Sequence, residues 1–349
     1  MKRKYAAILI IVVVVGTGSF LWNRFINPDP VSAELKQMVT DSKTSTFSVK
    51  KWEEADRYSK KAIKFKEKDE LMSSGNEFAV TGVKLKAPYG IACLSEGILL
   101  ADHGENCLYL IDYSGNLVRK IGELGNGPNQ FQKPTGCTYH NGYYYVIDSG
   151  NKRIVILDRQ FNYTKELKLP KSEREPEKEF TDIAINDKGD IYIFGSYLYD
   201  SGLYRYNLEK DKFENVQKYF YGSLKEFGGE VYAVDQFRIY VDFEKKEITG
   251  GAGPNALWKL DGRNIKKLSN LPAGLNAGSF ELLRDSLIIC SPFHSAVMVF
   301  NMKNGKYMSN IYEVDKMDYK TYASIYGSDL YITEPEKGKI LKISLEKLQ

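Results

Sequence analysis

PYGIACLSEGILLADHGENCLYLIDYSGNLVRKI (residues 88–121) and PTGCTYHNGYYYVIDSGNKRIVILDRQFNYTKEL (residues 134–167) are two copies of one phrase. A short run leads to a turn carrying Gly97 or Gly142. A second run, Ile98–Ala101 or Tyr143–Ile147, follows and ends in Asp102 or Asp148. After a small polar loop a third run ends in Asp112 or Asp158, and a fourth closes the copy. Runs of this length, punctuated by Gly, Asn and Asp, read as antiparallel strands joined by tight turns. Four such strands make one propeller blade.

Weaker copies follow. Their second strands are Ile191–Phe194, Val231–Val234, Leu287–Cys290 and Leu330–Thr333. The spacing of about 40 to 56 residues between successive second strands is that of a propeller repeat, and the count of copies is six. The sixth runs out of chain after its third strand, near Ser344. The strand-like segment Glu77–Leu85 has no blade of its own, so it is expected to complete blade six and close the ring, removing the exposed sheet edges. A packing strand elsewhere is the other reading of that segment.

The phrase ADHGENCLYLIDYSGN and its partner VIDSGNKRIVILDRQFN resemble those of NHL-repeat proteins, and the linker Ile121–Gly136 resembles the inter-blade connection of bacterial six-bladed propellers of that group. The resemblance is strong in blades one and two and covers residues 77–345 as architecture. It implies a scaffold used mostly for binding. Some relatives are enzymes: a peptidyl-hydroxyglycine lyase with histidines around a channel metal, a streptogramin lyase with a histidine base, and lactonase-type propellers with a channel calcium. None of those site motifs is matched here residue by residue, and a fold by itself does not name a function.

The expected class is therefore all-β, a six-bladed β-propeller over residues 77–349, preceded by an N-terminal transmembrane helix (residues 1–26) and a charged stalk (residues 27–76). Ala6–Trp22 carries no charge and follows Lys2, Arg3 and Lys4. That run is at the short end for a membrane helix, and the basic flank places the N-terminus in the cytoplasm. A cleaved signal peptide is the competing reading. Both put the propeller on the extracytoplasmic side, as a single-pass protein of the cell membrane in the first case. From Val49 to Leu71 the chain is dense in Lys and Glu and reads as a stalk, with room for one amphipathic helix.

Composition excludes little. The net charge of +4 is small against 49 basic and 45 acidic residues, and no basic cluster is interleaved with aromatics, so no nucleic-acid partner is expected. Cys93, Cys107, Cys137 and Cys290 sit in or beside strands. They read as buried free thiols, although export permits a disulfide. No CxxC or Cys/His zinc spacing occurs. Asn162-Tyr163-Thr164 matches a glycosylation sequon and decides nothing.

In a propeller, the loops joining second to third strands share one face with the connections between blades. The repeat register places His103 and His294 on that face and His140 on the opposite one. His103 and His294 are the candidates for a catalytic base, with Asp102, Asp148 and Glu334 as candidate ligands if calcium or zinc is bound. The structural reading of the histidines is ordinary loop polarity. For Asp102 and Asp148, which recur at one repeat position, it is an Asx-type turn. No cofactor is expected. The most individual element is the connection Asp235–Asn255, which reads as an extra hairpin, Phe237–Phe243 with Glu247–Thr249. Long insertions on a repeat scaffold carry recognition. A lid packed on its own ring is the alternative. The expected binding residues are Tyr197, Tyr199, Phe237, Arg238, Tyr240, Phe293 and His294, on a platform for a protein, peptide or glycan. A metal-dependent propeller hydrolase or lyase is the second expectation.

Overall fold

The polar punctuation of the repeat makes its turns. Asp112 Oδ1 accepts the amides of Ser114 and Asn116 at 2.9 and 2.8 Å, and Asp158 Oδ1 accepts those of Gln160 and Asn162 at 2.8 Å each. Both side chains thus mimic a backbone turn between third and fourth strands. In blade one the four strands so joined are Pro88–Leu94, Gly97–Asp102, Cys107–Ile111 and Leu117–Ile121, hydrogen-bonded in chain order. The computed structural model describes residues 48–50, 73–171, 178–197, 200–218, 220, 222–235, 238–242, 247–251, 256–272, 275, 277–292, 294–314, 316–318 and 320–349.

Six four-stranded antiparallel sheets follow one another around a ring. Their inner strands are Pro88–Leu94, Pro134–His140, Glu179–Ile185, Gly222–Phe227, Ser279–Leu283 and Ala323–Tyr326. The core lies between neighbouring blades. Leu99, Ala101, Leu108 and Leu110 of blade one, for example, pack against Tyr144, Val146, Val155 and Leu157 of blade two. Second and third strands are therefore almost wholly apolar and buried, because both their faces meet a neighbouring sheet.

Toward the axis the strands converge, and glycine permits it. A Cβ on Gly90 would lie 2.0 Å from the Thr135 carbonyl oxygen of the next blade, and one on Gly136 would lie 2.8 Å from that of Thr181. These are the third residues of the PYG and PTG phrases, at the start of the inner strands. They bring the backbones together at one end of the channel.

The ring closes through a strand from the N-terminal side, but not the one expected. Gly75–Glu77 pairs with Lys339–Ser344 and completes blade six, and the Phe78 amide donates to the Ile340 carbonyl at 2.8 Å. The expected closing segment Glu77–Leu85 contributes only its first residues. Beyond Phe78 the chain crosses from the outer edge of blade six to the inner strand of blade one. The apolar alternation there imitates a strand, but Gly82 adopts a φ of +81°, and Phe78 and Leu85 are anchored in the core between the two blades. Thr81 makes only an isolated bridge to Asn116.

The insertion in blade four forms the expected extra hairpin, Arg238–Asp242 against Glu247–Gly251. Ser48–Lys50 adds to it in parallel, so that part of the stalk is a strand on the insertion. In blade three the second and third strands extend to Tyr197 and from Asp200, and these two residues pair with each other. The membrane segment, the remainder of the stalk, Tyr199, Phe237 and Phe293 lie outside the described residues. Among the described residues no helix is long and apolar enough to cross a membrane.

Candidate functional site: the central channel

The inner strands enclose a channel, and its two ends differ. Pro88 pairs with Asp102 and the His103 amide donates to Ala87 O at 2.9 Å, so each inner strand starts at the face of the second-to-third loops. At that face the channel holds only about 80 Å³, between Glu179, Gly222, Gly278 and Lys320. It is filled by stacked rings: Tyr89 lies on His103 (4.4 Å between ring centres) and on Tyr322 (5.9 Å), while the Lys320 ammonium sits over Tyr89 and pairs with Glu179 at 2.9 Å. At the opposite face, where inner strands turn into second strands, the channel opens into a cavity of about 400 Å³ bounded by Leu94, Glu96, Tyr139, Glu226 and Ile325. Asp182, Ser223 and Tyr322 line both spaces and form the waist between them.

The wall of the wide cavity carries charge from three consecutive blades, with Glu281 buried and Asp182 and Lys225 half-buried. The Lys225 ammonium of blade four donates to Glu281 Oε1 of blade five at 2.7 Å and to the Ala323 carbonyl of blade six at 2.6 Å. Asp182 of blade three accepts the Leu224 amide at 2.8 Å. Burial pushes the Asp182 carboxyl up to about 6, only partly opposed by Lys225. Burial also raises Glu281 against the pull of Lys225, and it works against the charge on Lys225, where the two acids more than offset it. Because folded Asp182 holds its proton more tightly than an unfolded carboxyl does, its contribution to stability falls as the pH rises through about 6. Ser223 is 6 % exposed, and its hydroxyl has no hydrogen-bond partner.

The thiols are free, with Cys93 half-buried and the other three buried. Cys93 and Cys137 line the wide cavity, where burial pushes each up to about 12, so both stay protonated and weakly nucleophilic.

The acids proposed from sequence as metal ligands are already engaged in hydrogen bonds and ion pairs. Asp102 is fully buried, and the amides of Lys86, Ala87, Gly104 and Glu105 donate to its two oxygens at 2.8–3.0 Å. Asp148 accepts the Gln132 amide at 2.6 Å, Asn151 Nδ2 at 2.7 Å and Arg153 Nε at 2.9 Å. Glu334 is paired with Lys337 and, at 3.8 Å, with Lys339. Asp235 ends the second strand of blade four at the same repeat position. The carboxylates of Asp102 and Asp148 each tie their second strand to loop backbone, which is the Asx-type role that the repeat suggests. Among the described residues no group of three or more His, Cys, Asp or Glu is set to hold a metal.

His103 belongs to the stack at the narrow end. Burial lowers its pKa despite the nearby Glu179 carboxylate, and its Nδ1 is buried with no hydrogen-bond partner. His294 lies on the loop of blade five, where its amide meets Ser291 Oγ at 3.5 Å. His140 ends the inner strand of blade two, on the opposite face as the register requires. Tyr197, Arg238 and Tyr240 fall on strands beside the second-to-third loops.

Reading the loops for chemistry missed Asp182, Ser223, Lys225 and Glu281, because these residues are on inner strands. A signal was present. Gly222-Ser-Leu-Lys225 and Gly278-Ser-Phe-Glu281 each place a charge three residues after an inner-strand glycine, where blade one carries Cys93 after Gly90.

Residues 82–241 match a family model described as a 6-bladed beta-propeller, DUF5128. No curated protein matches the sequence. Among solved structures, virginiamycin B lyase from Staphylococcus aureus is 13% identical, with 78% of this chain and 99% of that chain covered at a TM-score of 0.53. A protein of Bacteroides fragilis described as exported is 14% identical, with 80% and 98% covered at 0.53. A protein of Bacteroides thetaiotaomicron is 13% identical, with 78% and 72% covered at 0.53. At such identities the likeness is one of fold. Across residues 82–241 the chain is similar to the DUF5128 six-bladed β-propellers, and the fold it shares with the bacterial propellers agrees with that similarity.

Proposed function

We propose that the protein is a membrane-anchored, extracytoplasmic binding platform that holds a protein, peptide or glycan partner at the wide mouth of the channel and takes one polar group of that partner inside. The observation that carries this reading is the cavity of about 400 Å³ walled by the Asp182–Lys225–Glu281 cluster. Its size falls in the range of about 300–1,000 Å³ typical of ligand pockets. Ser223 is part of its wall and its buried hydroxyl lacks a partner, where buried polar groups ordinarily have one. This puts the binding face opposite the loops that the repeat register favours.

The test is ligand capture by the full chain in detergent, with bound material from the extracytoplasmic fraction identified by mass spectrometry. Thr138 is a half-buried residue of the inner strand of blade two and lines the wide cavity. Thr138→Trp is expected to cut capture at least tenfold with the unfolding midpoint kept near that of the parent. Deleting residues 237–252 is expected to leave capture within twofold. The opposite pattern would move the site to the insertion hairpin and overturn the channel reading.

Anchoring rests on the uncharged run Ala6–Trp22 behind Lys2, Arg3 and Lys4. The chain is expected to sediment with membranes and to yield its propeller to protease added outside an intact cytoplasmic membrane. Protection from that protease would reverse the assigned side.

A further inference from the structure

The wide cavity is lined by four acidic side chains, Glu96, Asp182, Glu226 and Glu281, against one basic side chain, Lys225. An excess of carboxylates alone marks no site. Here it is joined by a second feature, the hydroxyl of Ser223, a residue of the cavity wall that is 6 % exposed, which is buried without a partner. A third feature is that the wall already holds a cation. The Lys225 ammonium extends from blade four to a carboxylate of blade five and a carbonyl of blade six. These are the acceptors that an incoming ammonium or guanidinium needs: carboxylate oxygen, carbonyl oxygen and a hydroxyl. Glu96 and Glu226 stand at the mouth, where Glu96 accepts the Tyr144 hydroxyl at 2.6 Å and Glu226 accepts the Gly229 amide at 2.8 Å. Acids at a low-dielectric mouth concentrate cations and repel anions.

We infer that the group admitted to the channel is the cationic side chain of a peptide or protein, a lysine ammonium or arginine guanidinium, which enters past Glu96 and Glu226 and pairs with Asp182 and Glu281 beside Lys225. This rests on the channel reading above and narrows its partner to a polypeptide with an exposed basic residue. Neutral glycans lack the charge that the wall selects. Asp182 is the acceptor with room for a new partner, since its hydrogen-bond donors among the described residues are the two backbone amides of Leu224 and Ile183.

The probes are acetyl-Gly-Arg-Gly-amide, acetyl-Gly-Lys-Gly-amide and, with the charge reversed, acetyl-Gly-Glu-Gly-amide. Each is titrated to millimolar concentration against the full chain in a neutral detergent and followed by ligand-observed NMR. The two basic peptides are expected to bind saturably and the acidic one not to bind. Asp182→Asn is expected to weaken the basic peptides about tenfold, as loss of a charge-assisted hydrogen bond does. Glu281→Gln also unpairs Lys225 and endangers the fold. Glu226→Gln, on an exposed side chain at the mouth, is therefore the second variant, expected to weaken binding about twofold to threefold at low salt and less at high salt. Absence of saturable binding by both basic peptides overturns the assignment. So does equal binding of the acidic peptide; if that binding is lost in Thr138→Trp, the channel reading survives and only the cation assignment falls. Basic-peptide binding that is unchanged in both Asp182→Asn and Thr138→Trp overturns the two together.

Discussion

Asp102→Ala is expected to lower stability by about 3–5 kcal/mol, the cost of leaving several buried donors without an acceptor. Asp102 is fully buried, and its carboxylate collects four backbone amides. Two of these, Gly104 and Glu105, belong to the loop it begins. The other two, Lys86 and Ala87, end the segment that crosses from blade six to blade one. Removing the side chain therefore loosens the seam of the ring as well as a turn. Asp102→Asn keeps the oxygen that takes three of the four amides and should cost about 1–2 kcal/mol. The reading is local as well as global. Hydrogen exchange at Lys86, Ala87, Gly104 and Glu105 should accelerate in the Ala variant well before the ring unfolds. Protection retained at Lys86 and Ala87 would show that the carboxylate does not hold the seam.

Arg153→Ala should be comparably damaging, at about 3–5 kcal/mol, because it strands a buried carboxylate. Arg153 pairs with Asp148 at 2.9 Å and with Glu166 at 2.7 Å, and its remaining donors reach the carbonyls of Gly127 and Gln130 at 2.9 Å each. The last two lie in the linker between blades one and two, which Asn151 also grips through the Gly125 carbonyl at 2.7 Å. Burial already raises the Asp148 carboxyl above its ordinary range, against the pull of its partners, Arg153 among them. Without Arg153 it rises further. A carboxyl raised in the folded state costs stability where it is ionised, so the deficit of the variant should be largest at neutral pH and shrink as the pH falls toward the usual carboxylate range. Asp148→Asn with Arg153→Met, which removes both charges, should recover part of the loss. Equal denaturation midpoints for Arg153→Ala and its parent at neutral pH would sink this account.

The two predictions turn on carboxylates that the repeat made visible. Asp102 and Asp148 stand at one position of the phrase, as do Asp112 and Asp158, and a position repeated across blades is doing the same local work in each. Local work of that kind is legible, because a turn is made by residues within a few positions of one another. The blade count, the second strands and the extra hairpin were legible for the same reason. The closing strand was misplaced by a few residues because the apolar alternation of Glu77–Leu85 is the same whether the chain pairs with a strand or packs over a seam. The place of Tyr331, against which Phe78 packs edge-on at 5.3 Å, is not carried by that alternation.

The channel was the part that the linear chain hid. Asp182, Ser223, Lys225 and Glu281 come from three blades and about 100 residues of chain. Each alone is an unremarkable polar residue on a short strand. They meet because the glycines at the strand starts draw the backbones together at one end of the ring and leave the other end open. By itself the sequence determined the strand grammar, the six-fold ring, the buried loop carboxylates and the uncharged N-terminal run, since each is written in neighbouring residues. Only the tertiary structure decided which end of the channel is open and which charges share its wall, because those depend on how far apart six separately written strands stand once the ring is closed.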